Sequence, residues 1–544
     1  MRVLGINGGF RPGYQDTSAV LAQEGKVTGA VEEERFTRIK HAPGQIPEKS
    51  VDWLIKKDNI SLQDIDLIAS HGSTFGEEFE SRLKKYFLYY FKHCPPIFRV
   101  HHHLAHAASA YYASGFDQSM ILTTDNSGDG VSTQTAVGSE GKIKILKKWN
   151  RPQSLGIFYS MMTQFCGFRK DSDEYKLMGL SAYGDPNRYD LNKILSIKQG
   201  GYELNEDCLF GIKPGEPQPH RQEALFSNQL IKLLNIEPRS PYEPITQAYK
   251  DISAGSQKCL ETALIEIVTQ LYQETKIKNL CLAGGVALNC LANQKLAELS
   301  FIDNIYVQPA SSDAGVSLGS AYLGALELGD SPQTMDHYYL GPSFNNSSIL
   351  DELKLCQVSF TSLEEPAQKT AELIAQGKVV GWFQGAMEFG PRALGARSIL
   401  ASPFEKNMKD MLNSKVKFRE EFRPFGPSLL LEEKDRILES PVKELPYMTV
   451  TSSIKESWKN KLIPITHEDG TTRPQTVHQK DNPLYWNCLK KIKELSGAGI
   501  IINTSFNRNK EPIVNTPKEA LASFYGSGMD ALVIGNFLLL KEEN

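Results

Sequence analysis

The sequence contains no uncharged apolar run of about 18 residues, the length that a helix needs to cross a bilayer. It starts directly with the strand-like segment Arg2-Val-Leu-Gly-Ile6, and no basic stretch followed by an apolar one precedes it. Membrane-spanning helices and a secretory leader are therefore not expected. The sequence predicts a soluble, cytoplasmic protein without a membrane partner.

Cysteine is scarce, with 8 among 544 residues, and no two cysteines form a Cys-x-x-Cys pair. This scarcity argues against a disulfide framework and against a zinc module built from thiolates. Scattered single cysteines are typical of reduced core thiols in a cytosolic protein. None of them has an obvious local partner for catalysis or metal binding.

A surplus of charge of one sign is also missing, because 60 basic residues face 64 acidic ones and the formal net charge is −4. Such a balance gives no general attraction to nucleic acid, so any phosphate binding must be local. No repeat of fixed period and no low-complexity tract is present, which excludes solenoids. The length exceeds what one hydrophobic core supports, so we expect two domains.

Three apolar segments run directly into turns of small residues. They are Val3–Ile6 before Asn7-Gly-Gly9, Ile121–Thr124 before Asp125-Asn-Ser-Gly-Asp-Gly130, and Leu280–Ala283 before Gly284-Gly285. Glycine lets backbone N–H groups approach phosphate oxygens, although each turn alone is more simply a strand-to-helix connection. Together the turns predict a nucleotide held between two lobes, with Asn126, Gly128, Gly284 and Gly285 as candidate contacts.

A β-hairpin is predicted beside the first strand, from Thr17–Ala22 and Lys26–Val31 with a turn at Gln23-Glu-Gly25. Helices are predicted at Pro47–Lys57, Leu104–Ala113, Ile245–Thr275 and Ala314–Leu328. A meander followed by helices resembles the actin, Hsp70 and sugar-kinase superfamily. The fold class is therefore α/β, with a large two-lobed N-terminal domain.

His102 and His106 lie four residues apart, so one helix face can present both imidazoles to a single metal ion. This spacing alone is more often a solvated or hydrogen-bonded helix face. Asp125 at the end of a strand adds a carboxylate, and Asp313 either caps its own helix or is a fourth ligand. Such a donor set suits Fe(II), Mn(II) or Zn(II), and spacing does not choose among them.

The pattern breaks into a Gly, Pro, Asn and Ser-rich stretch at Gly341–Ser348, which predicts a domain boundary. We assign residues 1–345 to the first domain and 346–544 to the second. A new succession begins there with a helix at Pro366–Gln376 and a strand at Val379–Phe383. The second domain is therefore a smaller α/β domain.

Cations are concentrated in turns of the second domain, at Arg392, Lys417, Arg423 and Arg473. Arginine forks pinned in turns can hold phosphate or carboxylate oxygens, whereas a salt-bridged surface is the alternative. The predicted strand Gly499–Ile502 leads into Asn503-Thr-Ser505-Phe-Asn507, and strand ends are where open α/β sheets bind ligands. A simple Asn/Ser turn is the alternative for that segment.

Six segments spread over nearly the whole chain form a set that is more specific than any one of them. They are Val31-Glu-Glu-Glu-Arg-Phe-Thr-Arg-Ile-Lys-His41, His102-His-Leu-Ala-His106, Lys176-Leu-Met-Gly-Leu180, Glu388-Phe-Gly-Pro-Arg-Ala-Leu-Gly395, Phe422-Arg-Pro-Phe425 and Asn503-Thr-Ser-Phe-Asn507. In this order they resemble the O-carbamoyltransferase family, which includes antibiotic-tailoring, cephem and nodulation-factor carbamoyltransferases.

The resemblance implies a two-step enzyme. Its C-terminal domain is similar to threonylcarbamoyl-adenylate synthases and would make carbamoyl adenylate from carbamoyl phosphate and ATP, with Mg(II) on the ATP. The N-terminal domain is similar to their tRNA-modifying partner and would transfer the carbamoyl group to a hydroxyl of a small molecule, releasing AMP. The resemblance favours Fe(II) at the metal site and a monomer or small homo-oligomer.

The family pattern also implies roles for single residues. His102, His106, Asp125 and Asp313 would bind the metal, and Lys40 with Gly284-Gly285 would contact the nucleotide. Arg392, Lys417, Arg423 and Arg473 would hold carbamoyl phosphate, with Asn503 and Ser505 near the adenylate.

One departure concerns Gln15-Asp16, where many relatives have His-Asp, after a loop Gly8–Gly13 that is longer than theirs. A glutamine cannot act as a general base, so that role would fall to Asp16, to the metal site or to the substrate itself. A second departure is Glu174, where a glycine often precedes the lysine.

Three other functions are compatible with parts of the sequence. A tRNA threonylcarbamoyl-transfer enzyme would use related domains, but the charge balance gives no basic stripe for RNA. An ATP-switched binding protein of the Hsp70 kind would leave the cation cluster without a purpose. A sugar kinase would need neither the histidine pair nor a second anion-binding domain.

Overall fold

The computed structural model describes residues 1–9, 16–212 and 223–541, so Gln15 and most of the Gly8–Gly13 loop lie outside the described residues. Chain contacts divide the protein into two compact units. Unit 1 comprises Met1–Ser70, Gly76–Phe98 and Asp313–Asn544, and unit 2 comprises His71–Phe75 and Arg99–Ser312. This division differs from the boundary between residues 345 and 346, which stays a prediction.

The first sheet is built around the strand Arg2–Asn7, which is buried along almost its whole length. Its strand order is Lys26–Glu32, Ser18–Gln23, Arg2–Asn7, Leu67–His71, Ile97–Val100. The first three strands are antiparallel neighbours, and Leu67–His71 runs parallel to the central strand. The predicted hairpin is present, and its loop residues Glu24 and Gly25 have φ values of 52° and 76°, as a tight two-residue hairpin turn requires.

Unit 2 is built around a second sheet, whose long central strand Gln118–Gly128 leads to the predicted metal ligand Asp125. Its strand order is Asn304–Val307, Asn279–Ala283, Gln118–Gly128, Val131–Ser139, Lys142–Asn150. When the strands of each five-stranded sheet are numbered in chain order, both sheets have the order 3-2-1-4-5, with the second sheet read from its Lys142–Asn150 edge. In both, an antiparallel meander is followed by a parallel neighbour of its first strand. This repeated topology confirms the predicted two-lobed α/β fold.

The C-terminal part of unit 1 holds a mixed eight-stranded sheet. Its order is Thr361–Ser362, Phe537–Leu540, Ala531–Ile534, Val380–Phe383, Arg397–Ala401, Ile500–Ser505, Gly426–Leu430, Gln475–Val477. The helices Pro366–Ala375 and Pro483–Ser496 pack together over it, around buried Trp382 and Tyr485. Two smaller sheets complete the described strands: Leu438–Glu439, Ser452–Ile454 and Thr471–Thr472 form one, and Leu195–Lys198 with Gly201–Leu204 form the other.

The five predicted helices are present, with ends that shift by at most two residues. The α-helices of the described residues are Glu34–Thr37, Glu48–Lys57, Glu77–Phe91, His102–Ser114, Leu155–Phe165, Glu174–Leu180, Asn228–Leu234, Gln247–Thr275, Cys290–Ala297, Ala314–Glu327, Asn346–Leu355, Pro366–Ala375, Met408–Met411, Lys434–Ile437, Glu456–Lys459, Pro483–Ser496 and Pro517–Tyr525. No helix in the described ranges combines the length and apolar character that crossing a membrane requires. All eight cysteines are free thiols.

Gly5 lies where the central strand of the first sheet packs on the helix Ala314–Glu327, so there is no room for a methyl group at this position. A Cβ there would lie 2.1 Å from the carbonyl oxygen of Ser317. We expect Gly5→Ala to destabilise the protein by about 1–3 kcal/mol, the usual cost of overpacking. Urea unfolding measures it, with Gly76→Ala as control because a Cβ at Gly76 meets no atom within 4 Å. Equal midpoints for both variants would contradict this packing.

Candidate functional site

Three of the predicted metal ligands converge inside unit 2. The Nε2 atoms of His102 and His106 are 3.1 Å apart, and Asp125 Oδ2 lies 3.4 Å and 3.2 Å from them. Both imidazoles are buried, since His102 and His106 are 1% and 0% exposed. The helix His102–Ser114 stacks the two rings one turn apart, and the end of the strand Gln118–Gly128 supplies the carboxylate.

Asp313 joins these three residues, because one ligand atom from each of the four lies within 4.8 Å of all the others. Its side chain makes no capping hydrogen bond to its own helix, so the alternative that it only caps Ala314–Glu327 is wrong. The structure therefore brings the four predicted ligands together. Their role in binding a metal stays a prediction.

The four donors fit a divalent cation. Two nitrogens about 2.1 Å from one ion and at a right angle are about 3.0 Å apart, close to the spacing of these imidazoles. Burial acts to raise the pKa of Asp125, but the two imidazoles outweigh it and hold that pKa well below its ordinary value. A charged carboxylate beside two nitrogen donors suits a borderline ion such as Fe(II), Mn(II) or Zn(II).

His103 has a different role, although it belongs to the same histidine run. Its Nε2 lies 3.0 Å from the carbonyl oxygen of Val131, and its Nδ1 lies 2.8 Å from Thr123 Oγ1. A carbonyl only accepts, so Nε2 carries the hydrogen and Nδ1 accepts from the threonine. Burial lowers the pKa of His103 well below its ordinary value, and the ring is a neutral part of the core.

Asp129 fixes the start of the histidine helix. Its Oδ2 accepts from the backbone N–H of His102 at 2.9 Å, and its Oδ1 accepts from Thr74 Oγ1 at 2.7 Å. Burial acts to raise the pKa of Asp129, but these hydrogen bonds outweigh it and the pKa is lowered. A carboxylate at the first helical N–H is stabilised by the helix dipole. Asp129 is thus a site residue to which the sequence analysis gives no role.

Glycines predicted to contact a nucleotide pack against the metal-site residues. A Cβ on Gly128 would lie 2.0 Å from His102 Cδ2, and one on Gly284 would lie 2.1 Å from the Thr124 carbonyl oxygen. Gly284 also has a φ of 92°, which few other residues adopt. A Cβ on Gly285 would come 3.1 Å from Asp125 Oδ1. These glycines let the backbone approach the site, and their nucleotide contacts stay predictions.

Asn126, another predicted nucleotide contact, lies at the turn after the carboxylate ligand. Its Nδ2 donates to Asp171 Oδ1 at 2.8 Å, and its backbone carbonyl accepts from Ser154 Oγ. Ser154 in turn caps the helix Leu155–Phe165 by accepting from the Ile157 N–H. A helix N-terminus therefore lies behind the turn. Its orphan N–H groups favour an anion nearby.

Two buried groups near this site have unusual pKa values that the sequence did not indicate. Burial, with the His102 imidazole as a further cause, lowers the pKa of His71 to about 3, and the two rings meet edge to face at 5.6 Å between centroids. Burial raises the pKa of Glu174 to about 7, although its carboxylate accepts from Ser160 Oγ at 2.6 Å. A strand ending in His71-Gly72 is the signal that could have identified the histidine.

The segments that carry the predicted cations of unit 1 meet the strand Ile500–Ser505. Lys417 Nζ is buried and donates to the carbonyl oxygens of Ser505 and Asn507 at 2.7 Å and 3.0 Å. Burial lowers the pKa of Lys417 well below its ordinary value, and nearby Arg419 and Arg423 lower it further. Mutual repulsion of this kind favours an anion between the cations.

Arg473 and Asn503 flank Gly426 in the same neighbourhood. Asn503 pairs with Gly426 in the sheet, and a Cβ on Gly426 would lie 2.4 Å from the Arg473 carbonyl oxygen. Arg473 Nε and Asn503 Oδ1 are buried without a hydrogen-bond partner in the described part of the chain. Buried polar atoms are normally satisfied, so these atoms indicate a place for a polar ligand.

The turn that carries Arg392 is held by two carboxylates. Glu388 Oε1 accepts from the N–H groups of Leu394 and Ala396 at 2.7 Å and 2.8 Å. Glu32 Oε1 accepts from the N–H of Gly390 at 2.8 Å, and Arg35 donates to the carbonyl oxygen of Gly390, also at 2.8 Å. The Ala393 carbonyl accepts from Asn503 Nδ2 at 3.1 Å, which links this turn to the cation cluster.

Arg397 and Lys40 are two further cations of unit 1. The fully buried Arg397 guanidinium donates to the carbonyl oxygens of Gln384 and Pro342, both at 2.9 Å, and stacks on Phe383. Burial lowers its pKa to about 10, and it acts as a structural arginine. Lys40 is exposed, next to His41, whose imidazole contacts Asp16 Oδ1 at 2.8 Å. The nucleotide contact of Lys40 stays a prediction.

Comparison with known proteins identifies relatives over most of the chain. Residues 75–322 match the family described as Carbamoyltransferase N-terminus, and residues 371–541 match Carbamoyltransferase C-terminus. The chain is 36% identical to nodulation protein NolNO of Sinorhizobium fredii, over 99% of this chain and 83% of that protein. It is 31% identical to a 3'-hydroxymethylcephem-O-carbamoyltransferase of Streptomyces clavuligerus, over 67% of this chain and 64% of that protein.

A similar solved structure is HypF of T. kodakarensis, at 14% identity and a TM-score of 0.34. That similarity covers 60% of this chain and 48% of the HypF chain.

Gly128→Ala should displace the His102 imidazole, because the new methyl group would overlap the ring. We expect the affinity for Co(II), used as a spectroscopic probe, to fall by about 5- to 150-fold, which corresponds to an overpacking cost of about 1–3 kcal/mol. Titration followed by Co(II) absorbance measures this, with Gly76→Ala as the matched control. Unchanged affinity in a folded Gly128→Ala variant would contradict the predicted metal site.

Arg35→Met should destabilise unit 1, because it leaves the Glu32 carboxylate buried without its cation. We expect the free energy of unfolding to fall by about 3–5 kcal/mol. The double variant with Glu32→Gln should lose less than the sum of the losses in the two single variants. A urea double-mutant cycle measures the coupling. The exposed pair Glu78 and Arg82 is the control, with about 1 kcal/mol or less. Additive effects of the two substitutions would show that Glu32 and Arg35 do not stabilise the protein as a pair.

Proposed function

The chain belongs to the carbamoyltransferase family, and from this premise we propose that it is an ATP-dependent O-carbamoyltransferase. In the first step water cleaves carbamoyl phosphate to carbamate and phosphate, and a carbamate oxygen then attacks the α-phosphorus of ATP, which gives carbamoyl adenylate and releases pyrophosphate. In the second step the carbamoyl group passes to a hydroxyl of a small molecule, and AMP leaves. Adenylation is needed because carbamate is a poor electrophile without a good leaving group.

We assign the first step to the cation cluster of unit 1. Arg392, Lys417, Arg423 and Arg473 would neutralise the charge of carbamoyl phosphate and of the departing phosphate. The orphaned Nε of Arg473 supports this assignment, because it provides a buried donor for a ligand oxygen. Asn503, whose Oδ1 is buried without a partner in the described part of the chain, and Ser505, which contacts Lys417, would face the adenylate. Lys40 and the turn Gly284-Gly285 would contact the nucleotide.

We assign the second step to the residues around the imidazole pair. His102, His106, Asp125 and Asp313 would hold a divalent ion, Fe(II) by family resemblance. A bound ion there would supply Lewis-acid charge for the transfer. Asp129 holds the start of the helix that presents both imidazoles. His103, the second residue of that helix, anchors it to the core through both ring nitrogens. The burial of both imidazoles would limit the access of water to a hydrolysable intermediate.

The single observation that carries the proposal is the convergence of four ligand atoms within 4.8 Å in a chain of this family. The acceptor class follows from the relatives, whose names indicate a cephem hydroxymethyl group and nodulation. We therefore propose a hydroxyl of a secondary metabolite or a sugar as the acceptor. Family membership does not favour the Hsp70-like or the sugar-kinase alternative.

Two single variants should separate the two steps. Arg423→Ala should abolish carbamoyl-phosphate-dependent pyrophosphate formation, because it removes a cation beside Lys417. His106→Ala should leave pyrophosphate formation measurable and block transfer, with a loss of about 100-fold or more.

Pyrophosphate release and mass spectrometry of the carbamoylated product measure the two steps. The exposed Arg188→Ala serves as control and should change neither. Equal loss of both steps in both variants would contradict the two-site assignment. Absence of carbamoyl-phosphate-dependent pyrophosphate from the wild-type protein would refute the function.

A further inference from the structure

A second imidazole–carboxylate pair lies in unit 1, between two loops near the first sheet. The Asp16 carboxylate only accepts, so His41 Nδ1 is the donor of their 2.8 Å hydrogen bond. The backbone N–H of Asp16 donates to the His41 carbonyl at 2.7 Å. Thr17 Oγ1 donates to the carbonyl of Gln45 at 2.8 Å. The pair is therefore fixed by its own side chains and by the backbone of both loops.

The other nitrogen of His41 is left with its lone pair. His41 Nε2 is buried and has no hydrogen-bond partner in the described ranges. His103 shows what a structural histidine does in this protein, since both of its ring nitrogens are hydrogen-bonded. An imidazole with Nδ1–H on a carboxylate and a free Nε2 lone pair has the arrangement of a general base.

The backbone at this pair is strained. Asp16, His41 and Ala42 have φ values of 56°, 65° and 40°, in the left-handed region that side chains rarely adopt. Such strain costs free energy and is found mainly where function requires a special geometry. Buried hydrogen bonds of the two loops hold this conformation.

The pair is also tied to the chain segment of Asp313. Two residues after Asp16, Ser18 Oγ donates to the carbonyl oxygen of Ala314 at 2.8 Å. It also lies 2.8 Å from Ser317 Oγ. Ala314 directly follows Asp313, so a short hydrogen-bonded path connects the loop of Asp16 to a predicted metal ligand.

We propose that His41 is the general base that takes the proton of the acceptor hydroxyl, and that Asp16 is its positioning residue. The inference rests on the proposed carbamoyl transfer. The acceptor O–H gives its proton to His41 Nε2 while its oxygen bonds to the carbamoyl carbon. The bond between that carbon and the AMP phosphate oxygen breaks, AMP leaves with the electron pair, and the imidazolium later gives its proton to water.

The charged groups around His41 set the pH at which this base is active. Burial acts to lower the pKa of His41, but the carboxylates of Asp16 and Glu34 outweigh it, and Lys40 opposes them. The pKa of His41 is therefore raised above its ordinary value of 6.5. Since the base must be unprotonated, transfer should increase as the pH rises through this pKa.

The test compares a nucleophile that needs a base with one that does not. Wild-type protein, His41→Gln and His93→Gln as control receive ATP, carbamoyl phosphate, Mg(II) and either methanol or hydroxylamine. Pyrophosphate, methyl carbamate and hydroxyurea are quantified. We expect His41→Gln to lose methyl carbamate formation by about 100-fold or more, the usual contribution of a general base. Pyrophosphate and hydroxyurea should stay within about twofold of wild type.

Asp16→Asn tests the positioning role by its pH profile. Removing the carboxylate that raises the pKa of His41 should move the inflection of methyl carbamate formation to lower pH. An unmoved inflection would overturn the role of Asp16.

The remaining outcomes separate the two proposals. Full methyl carbamate formation by His41→Gln would overturn the role of His41. So would a wild-type protein that forms hydroxyurea but no methyl carbamate at any pH. Absence of pyrophosphate from the wild-type protein would instead refute the carbamoyl-adenylate step.

Discussion

The structure depends most on a buried group of two ring nitrogens and a carboxylate oxygen that face one another. The Nε2 atoms of His102 and His106 and the Oδ2 atom of Asp125 lie 3.1–3.4 Å apart. Such atoms repel unless a proton or a cation lies between them, and bulk water does not reach the two buried rings. The surrounding chain holds them in place, because Gly128 packs against the first ring and Asp129 caps the helix.

The same principle applies to the cations of unit 1. Burial disfavours the charge of Lys417, and two neighbouring arginines repel it. Glu32, Arg35 and Glu388 hold the Arg392 turn in this environment by hydrogen bonds to its backbone. Glu32 and Arg35, which belong to the motif Val31–His41, therefore stabilise a turn of the C-terminal part of unit 1. A pre-formed cluster of cations costs stability that an anion can restore.

The histidines of this protein show that the contacts of a side chain determine its chemical role. His102 and His106 point their Nε2 atoms at a carboxylate, whereas His103 uses both nitrogens in the core. His41, distant from this run in sequence, keeps one nitrogen without a partner in the described chain. Identical side chains thus serve as candidate ligands, a core element and a candidate base, according to what lies within hydrogen-bond distance.

The sequence by itself determined the α/β class, five of the helices to within two residues of their ends, and the identity of the four residues that converge. The helices and the four-residue spacing of His102 and His106 are local properties, since spacing, caps and glycine turns act between near neighbours. The full ligand set with Asp313 came from the resemblance to the family. The repeated sheet order, the contacts of Gly128 with His102, and the pairing of His41 with Asp16 were decided by tertiary structure. The last two contacts join residues 26 and 25 positions apart, and no local sequence pattern shows which distant side chain will meet a given atom.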